Sequence, residues 1–169
     1  NDTDGNLSIR TLSGGSTAER IRILSSGGIT FNGDTAAANA LDDYEEGTWT
    51  PGMNGGTVSA YSARYTKIGN TVTVSCYLYN ISPTNNSSMF QITGLPYTTS
   101  SATNFYHAGS IGYSGAAQMD DLGLLSANNG TNLYFHYLNS TNSGSAATNT
   151  QIIGRSITVM IVSCTYTTT

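Results

Sequence analysis

The chain has 169 residues, with 10 acidic and 6 basic side chains and a net charge of −4. That balance leaves no basic footprint for nucleic acid or for an anionic membrane surface, and no apolar run approaches the ~20 residues of a bilayer-spanning helix. About half of the residues are Ser, Thr, Asn or Gly, a composition that alone would suit disorder, but 11 tyrosines, 4 phenylalanines and several β-branched runs point to short strands and tight turns.

The length suits one compact domain with an extended arm. The chain opens Asn1-Asp2-Thr3 with no Met and no signal peptide, and this start is expected to arise by processing. Residues 1–33 hold three short alternating runs: Leu7 and Ile9, then Ile21 and Ile23 between Arg20 and Arg22, then Ile29 and Phe31. Period two predicts strands with one apolar face. Glycine pairs at 14–15 and 27–28 punctuate them, and "LSGG" at 12–15 echoes "LSSGG" at 24–28. So short a segment cannot bury its own apolar face, but three copies wound about one axis can. Ile21, Ile23, Ile29 and Phe31 are the expected packing residues of such a stem.

Residues 34–47 read as a joint. Ala36, Ala37, Ala38 and Ala40 suit a helical turn, which Asp34 or Thr35 would cap. Asp42, Asp43, Glu45 and Glu46 follow. One contiguous run rarely converges on a cation from several directions, so a solvated collar, or partners for Arg20 and Arg22 of a neighbouring chain, is preferred to a metal site.

From 48 to 169 the pattern is that of an all-β head. Ala60–Tyr65 and Thr71–Tyr79 flank the turn Ile68-Gly69-Asn70, a hairpin signal. In the second arm Val72, Val74, Cys76 and Leu78 face one way, and Thr71, Thr73, Ser75, Tyr77 and Tyr79 the other. Further strands are expected at Met89–Thr93, Asn104–Tyr113, Leu122–Ser126, Asn132–Leu138 and Arg155–Thr167, with turns at Asn85-Asn86, 128–130 and 142–149. Such spacing favours a sandwich or jelly roll. The last run is apolar on both faces, with Ile157, Val159 and Ile161 against Met160, Val162, Cys164 and Tyr166. It is expected to be covered on both, as a central strand or by another subunit.

Three motifs, "LDDYEEGTWTP" at 41–51, "RYTKIGNTVTVSCYL" at 64–78 and "ITGLPYT" at 92–98, resemble in that order the C-terminal β-module of tail-fibre and related structural proteins of tailed bacteriophages. The stretch "STAERIRILSSGGITFNGD" at 16–34 is similar to phage fibre-shaft segments of the "ERMRIDSSGNV" kind, with Leu24 in place of their acidic residue. The resemblance implies a virion component without enzymatic activity or cofactor. It would be a homotrimer with an intertwined β-stem at 1–33, a joint at 34–47 and a β-sandwich, jelly-roll-like head at 48–169. It would join an upstream virion attachment protein and bind a glycan or protein receptor on the host surface. A capsid-decorating knob is the structural alternative, and a polysaccharide depolymerase the enzymatic one.

Tyrosines on a rigid β scaffold suit neutral surfaces and sugars, because the ring offers a flat apolar face and one polar handle. Tyr97, Tyr106 and Tyr113, in or beside the loop-rich 94–118 stretch, are the candidate receptor contacts. Trp49 beside Pro51 is expected to anchor the base of the head by burial. Asp120-Asp121 suggests a carboxylate pair, but neighbours on a strand point to opposite faces. Asp2-Thr3-Asp4-Gly5-Asn6 lacks the closing bidentate Glu of a calcium loop and reads as a turn. His107 and His136 sit among aromatics and are read as partly buried, hydrogen-bonded histidines in preference to one ligand per subunit for a metal on a three-fold axis, and Asn80, Asn86 and Asn139 are polar turn residues. Cys76 and Cys164 lie in strand patterns and are expected to be free buried thiols.

Overall fold

The computed structural model describes residues 4–103, 106–114, 122–126, 129–137 and 144–168. Asp2 and Thr3, Asn104, Asp120-Asp121, Asn128, Leu138, Asn139 and the start of the 142–149 turn lie outside the described residues. The chain is all-β and divides into two compact units, Asn1–Glu45 and Glu46–Thr169; the boundary falls within the stretch read as a joint.

In the first unit β1 (Leu7–Ser13), β2 (Ser16–Ile23) and β3 (Ile29–Phe31) form an antiparallel meander. Gly14 and Gly15 link β1 to β2 with φ of 58° and 82°, the left-handed pair that a two-residue hairpin turn needs. Pairing aligns Leu7 with Ile23 and Ile29, and Ile9 with Ile21 and Phe31, so six apolar residues share one face. Burial is inverted here. Leu7, Ile9, Ile23 and Phe31 are 43–60% exposed, whereas Glu19 and Thr30 are buried. Glu19 accepts from Arg22 Nε at 2.8 Å and Nη2 at 2.9 Å, and from Arg10 Nη2 at 3.4 Å. Arg20 donates to Thr11 Oγ1 at 2.8 Å. Instead of the expected helical turn capped by Asp34 or Thr35, a single 3-10 turn at Ala37–Asn39 begins after Ala36. The Asp34 carboxylate accepts from the Ala36 N–H at 2.8 Å and from Asn39 Nδ2 at 2.7 Å, bonds that hold its pKa below the ordinary value.

The second unit is one curled antiparallel sheet. Among the described residues its strands are β4 (Tyr44–Thr48), β5 (Gly52–Met53), β6 (Gly56–Ile68), β7 (Thr71–Pro83), β8 (Gln91–Thr93), β9 (Ala108–Ser114), β10 (Leu122–Ser126), β11 (Asn132–Tyr137) and β12 (Val159–Thr167). Their order is β4-β6-β7-β12-β9-β10-β11-β8-β5. Asn54 and Gly55 alone connect β5, at one edge, to β6, one strand in from the other edge. Two residues cannot span a flat sheet of strands spaced ~4.8 Å apart, so the sheet must close upon itself around its apolar face.

That inner face carries Val72, Val74, Cys76 and Leu78 from β7 and Met160, Val162, Cys164 and Tyr166 from β12. Leu122 and Leu124 of β10, Leu133 and Phe135 of β11 and Ile92 of β8 complete it. Phe90 and Phe135 pack with centroids 4.9 Å apart. The hairpin turns at Gly69, whose φ of 57° suits the first central residue of a type II′ turn. Both hairpin arms are longer than their apolar alternation suggests, and each is broken by a bulge with a left-handed residue, Ser62 (φ 51°) in β6 and Asn80 (φ 51°) in β7. Bulges bend the strand and raise its twist, which closure requires.

A helix, α1 (Asn149–Gly154), starts at the last residue of the 142–149 segment read as a turn. Its capping box joins Thr148 and Gln151. Buried Asn149 donates through Nδ2 to Asn54 O and Gly55 O at 3.3 Å and to Asn86 Oδ1 at 3.1 Å, tying three loops together. The two-faced run therefore resolves differently from its pattern. Ile157 is buried in the turn before β12, Val159 is half-buried, and Ile161 is 39% exposed although β12 is central.

Candidate functional site

The outer face of β6, β7 and β12 gathers aromatic residues at one end. Register places Tyr61 opposite Tyr77 and Tyr77 opposite Ile161, with Tyr79 between Ser59 and Val159. Tyr61 and Tyr79 stack at 4.2 Å and 8°, and Tyr77 lies 6.1 Å from Tyr61 and 6.5 Å from Tyr79. Tyr61 is 59% exposed, so the patch reaches solvent. A hydrogen bond with Tyr79 raises the Tyr61 phenol above its ordinary pKa, keeping that hydroxyl protonated near neutral pH. Further along the same face Thr73 and Thr165 share a 2.9 Å hydroxyl contact, and the surface turns polar. Flat rings with hydroxyl rims on a hydrogen-bonded sheet can bind, but they supply no acid, base or nucleophile matched to neutral pH.

Tyr97 is half-buried against the core; Tyr65 meets its ring edge-on at 5.6 Å, and Lys67 Nζ lies 5.5 Å above it. Its backbone N–H donates to Tyr166 Oη at 3.4 Å, and that hydroxyl donates to Tyr97 O at 3.1 Å. Tyr106 is 53% exposed. Tyr113 pairs with Ile161, which sets it at the register position beside the aromatic patch. Trp49 belongs to the core. Ile21, Ile23, Ile29 and Phe31 share the uncovered face of the first unit. Tyr77 and Tyr79 were sorted outward by their alternation, but Tyr61 was hidden, because the bulge at Ser62 changes the parity of β6.

His107 is wired into the β-core. The Thr167 N–H donates to Nε2 at 3.2 Å and Nδ1 lies 3.1 Å from Ser126 Oγ, so Nε2 bears the lone pair and Nδ1 the proton. Desolvation holds its pKa below the ordinary value. His136 Nδ1 sits 3.3 Å from Gly144 O. Cys76 and Cys164 are buried free thiols whose pKa values burial pushes up to about 12 and about 11. Among the described residues no group of three or more His, Cys, Asp or Glu is placed to hold a metal ion, and no helix is long and apolar enough to cross a membrane.

A cleft of about 500 Å³ opens beside the β6 bulge, between Thr48–Pro51 and Val58–Arg64. The Trp49 N–H donates to Ala63 O at 3.2 Å across its base. Compared with protein-family models, with curated proteins and with solved structures, the chain shows no match.

Proposed function

We propose that the chain is a non-enzymatic fibre component of a tailed-bacteriophage virion, a homotrimer that binds a glycan or protein receptor on the host cell. The observation that carries this reading is the inverted burial of the three-stranded sheet, where six aligned apolar residues share one face and Leu7, Ile9, Ile23 and Phe31 of it are exposed, while Glu19 and Thr30 are buried. Exposed contiguous apolar surface of this kind marks an interface. The resemblance of 16–34 to fibre shafts makes three copies about one axis the natural cover, giving an intertwined stem that continues to an attachment protein. The curled sheet is then the head, read as a jelly-roll-like sandwich. Its exposed Tyr61, backed by half-buried Tyr77 and Tyr79, supplies a neutral, rigid recognition surface. Three weak sites on one axis gain avidity from high effective concentration.

Sedimentation velocity at micromolar concentration, paired with a host-cell and glycan binding screen, tests the proposal. A trimer that binds host cells is expected. A stable folded monomer would overturn the assembly, and sugar release from host polysaccharide would overturn the non-enzymatic role. A trimer that binds no host surface would instead favour a structural knob on the virion.

A further inference from the structure

We infer that the cleft at the β6 bulge binds a carboxylate-bearing sugar, an acidic monosaccharide unit of the uronic-acid kind. For its biological meaning the inference rests on the proposed adhesive role, whose receptor chemistry it specifies. The cleft's volume, about 500 Å³, is that of a small-molecule site. Two residues that carry donors line it, Arg64 and Trp49. Arg64 is exposed and meets no acceptor among the described residues. Trp49 buries an indole N–H that likewise has no partner among them. A buried donor left unpaired costs free energy, and its presence at a cleft calls for an acceptor.

The ligand's chemistry follows from these groups. The planar guanidinium fork matches a carboxylate in bidentate geometry. Among the described residues it is the only cation lining the cleft, which suits a monoanion better than a doubly charged phosphate. Pro51 and Val58 offer apolar walls for the C–H face of a sugar ring, and the indole N–H a donor for a ring or hydroxyl oxygen. The backbone around the cleft is held in place. Ser62 adopts φ 51° at the bulge, a left-handed conformation that costs energy and clusters at ligand sites. Next to the lining residue Thr50, a Cβ on Gly94 (φ 89°) would stand 2.4 Å from Thr50 O, so only glycine lets these two segments approach so closely.

Isothermal titration at low ionic strength, with sodium glucuronate and galacturonate against glucose and galactose, tests the site on the whole chain. The uronates are expected to bind about tenfold more tightly than the neutral sugars. Arg64→Gln, at an exposed position, should erase that preference without lowering the melting temperature. Trp49→Phe keeps the ring and removes the donor, and should weaken acidic and neutral sugars alike by about threefold. Equal binding of acidic and neutral sugars, or a preference that survives Arg64→Gln, would overturn the site. So would loss of the oligomer in Arg64→Gln, which would assign the cleft to a carboxylate of a neighbouring chain. Uronate binding without host-cell adhesion would uphold the site and overturn the adhesive role; adhesion without uronate preference would do the reverse.

Discussion

Trp49 is 7% exposed, with its backbone tied to Ala63 and its ring among the core residues. Trp49→Ala should cost about 3–5 kcal/mol through the cavity it leaves, read as a lowered urea midpoint with an unchanged slope. A loss below about 1 kcal/mol would show that the ring is not part of the packing. His107 gives a pH signature. Its folded-state pKa is depressed, so the unfolded chain takes up the proton first as pH falls. The stability tied to the neutral ring is full above the unfolded value of about 6.5 and is lost as pH drops from there through the folded value. Protonation would set an Nε2–H against the Thr167 N–H, which now donates to that nitrogen. His107→Gln should therefore flatten the fall in melting temperature between about pH 7.5 and 5. Equal slopes in variant and parent would refute the assignment.

The β6 bulge decides which side chains of its strand face inward. Tyr61 pairs with Tyr77 and Arg64 with Ser75, so Ser62 and Ala63 together oppose one residue. Before the bulge Val58 and Ala60 pack on the core; after it Ala63 and Tyr65 do, and Lys67 is buried while Ile68 is 50% exposed. Ser62→Val, which forces a β-branched residue into φ 51°, should cost about 1–2 kcal/mol, and Ser62→Gly should be far milder. Denaturation of the two variants side by side checks the ranking. At α1, removing the capping hydroxyl in Thr148→Ala should cost about 1 kcal/mol by the same measurement. An unchanged midpoint would mean that the Thr148–Gln151 box does not hold the helix.

The two units make different demands on the environment. Residues 46–169 enclose their own core, so this piece alone should unfold cooperatively as a folded monomer. The first unit leaves Leu7, Ile9, Ile23 and Phe31 exposed, and 45 residues of such sheet do not hold a fold unaided. In the proposed trimer, Ile9→Asp with Ile21→Asp should dissociate the chains in sedimentation while leaving the second unit's circular dichroism and melting intact. A trimer that survives both charges would place the contacts elsewhere.

Alternation alone determined the inner residues of β7 and the apolar face of β1–β3, because a strand's side chains have a strict period of two and these runs carry it unbroken. The glycine pairs and Gly69 marked their turns through the left-handed backbone they permit. The sequence also held a signal for α1 in Thr148-x-x-Gln151, masked by the surrounding polar residues. Long-range pairing decided the rest. The parity change at Ser62, the order that brings β5 round beside β6, and the meeting of Tyr61 with Tyr79 and of Trp49 with the bulge all depend on contacts between distant segments. The doubly apolar run at 157–161 shows the division most plainly. Its pattern requires cover on both faces, but only the folded sheet shows that Ile157 turns inward before β12 starts and that Ile161 is left on the surface. Burial is settled by which strands become neighbours, and a local period carries no information about neighbours.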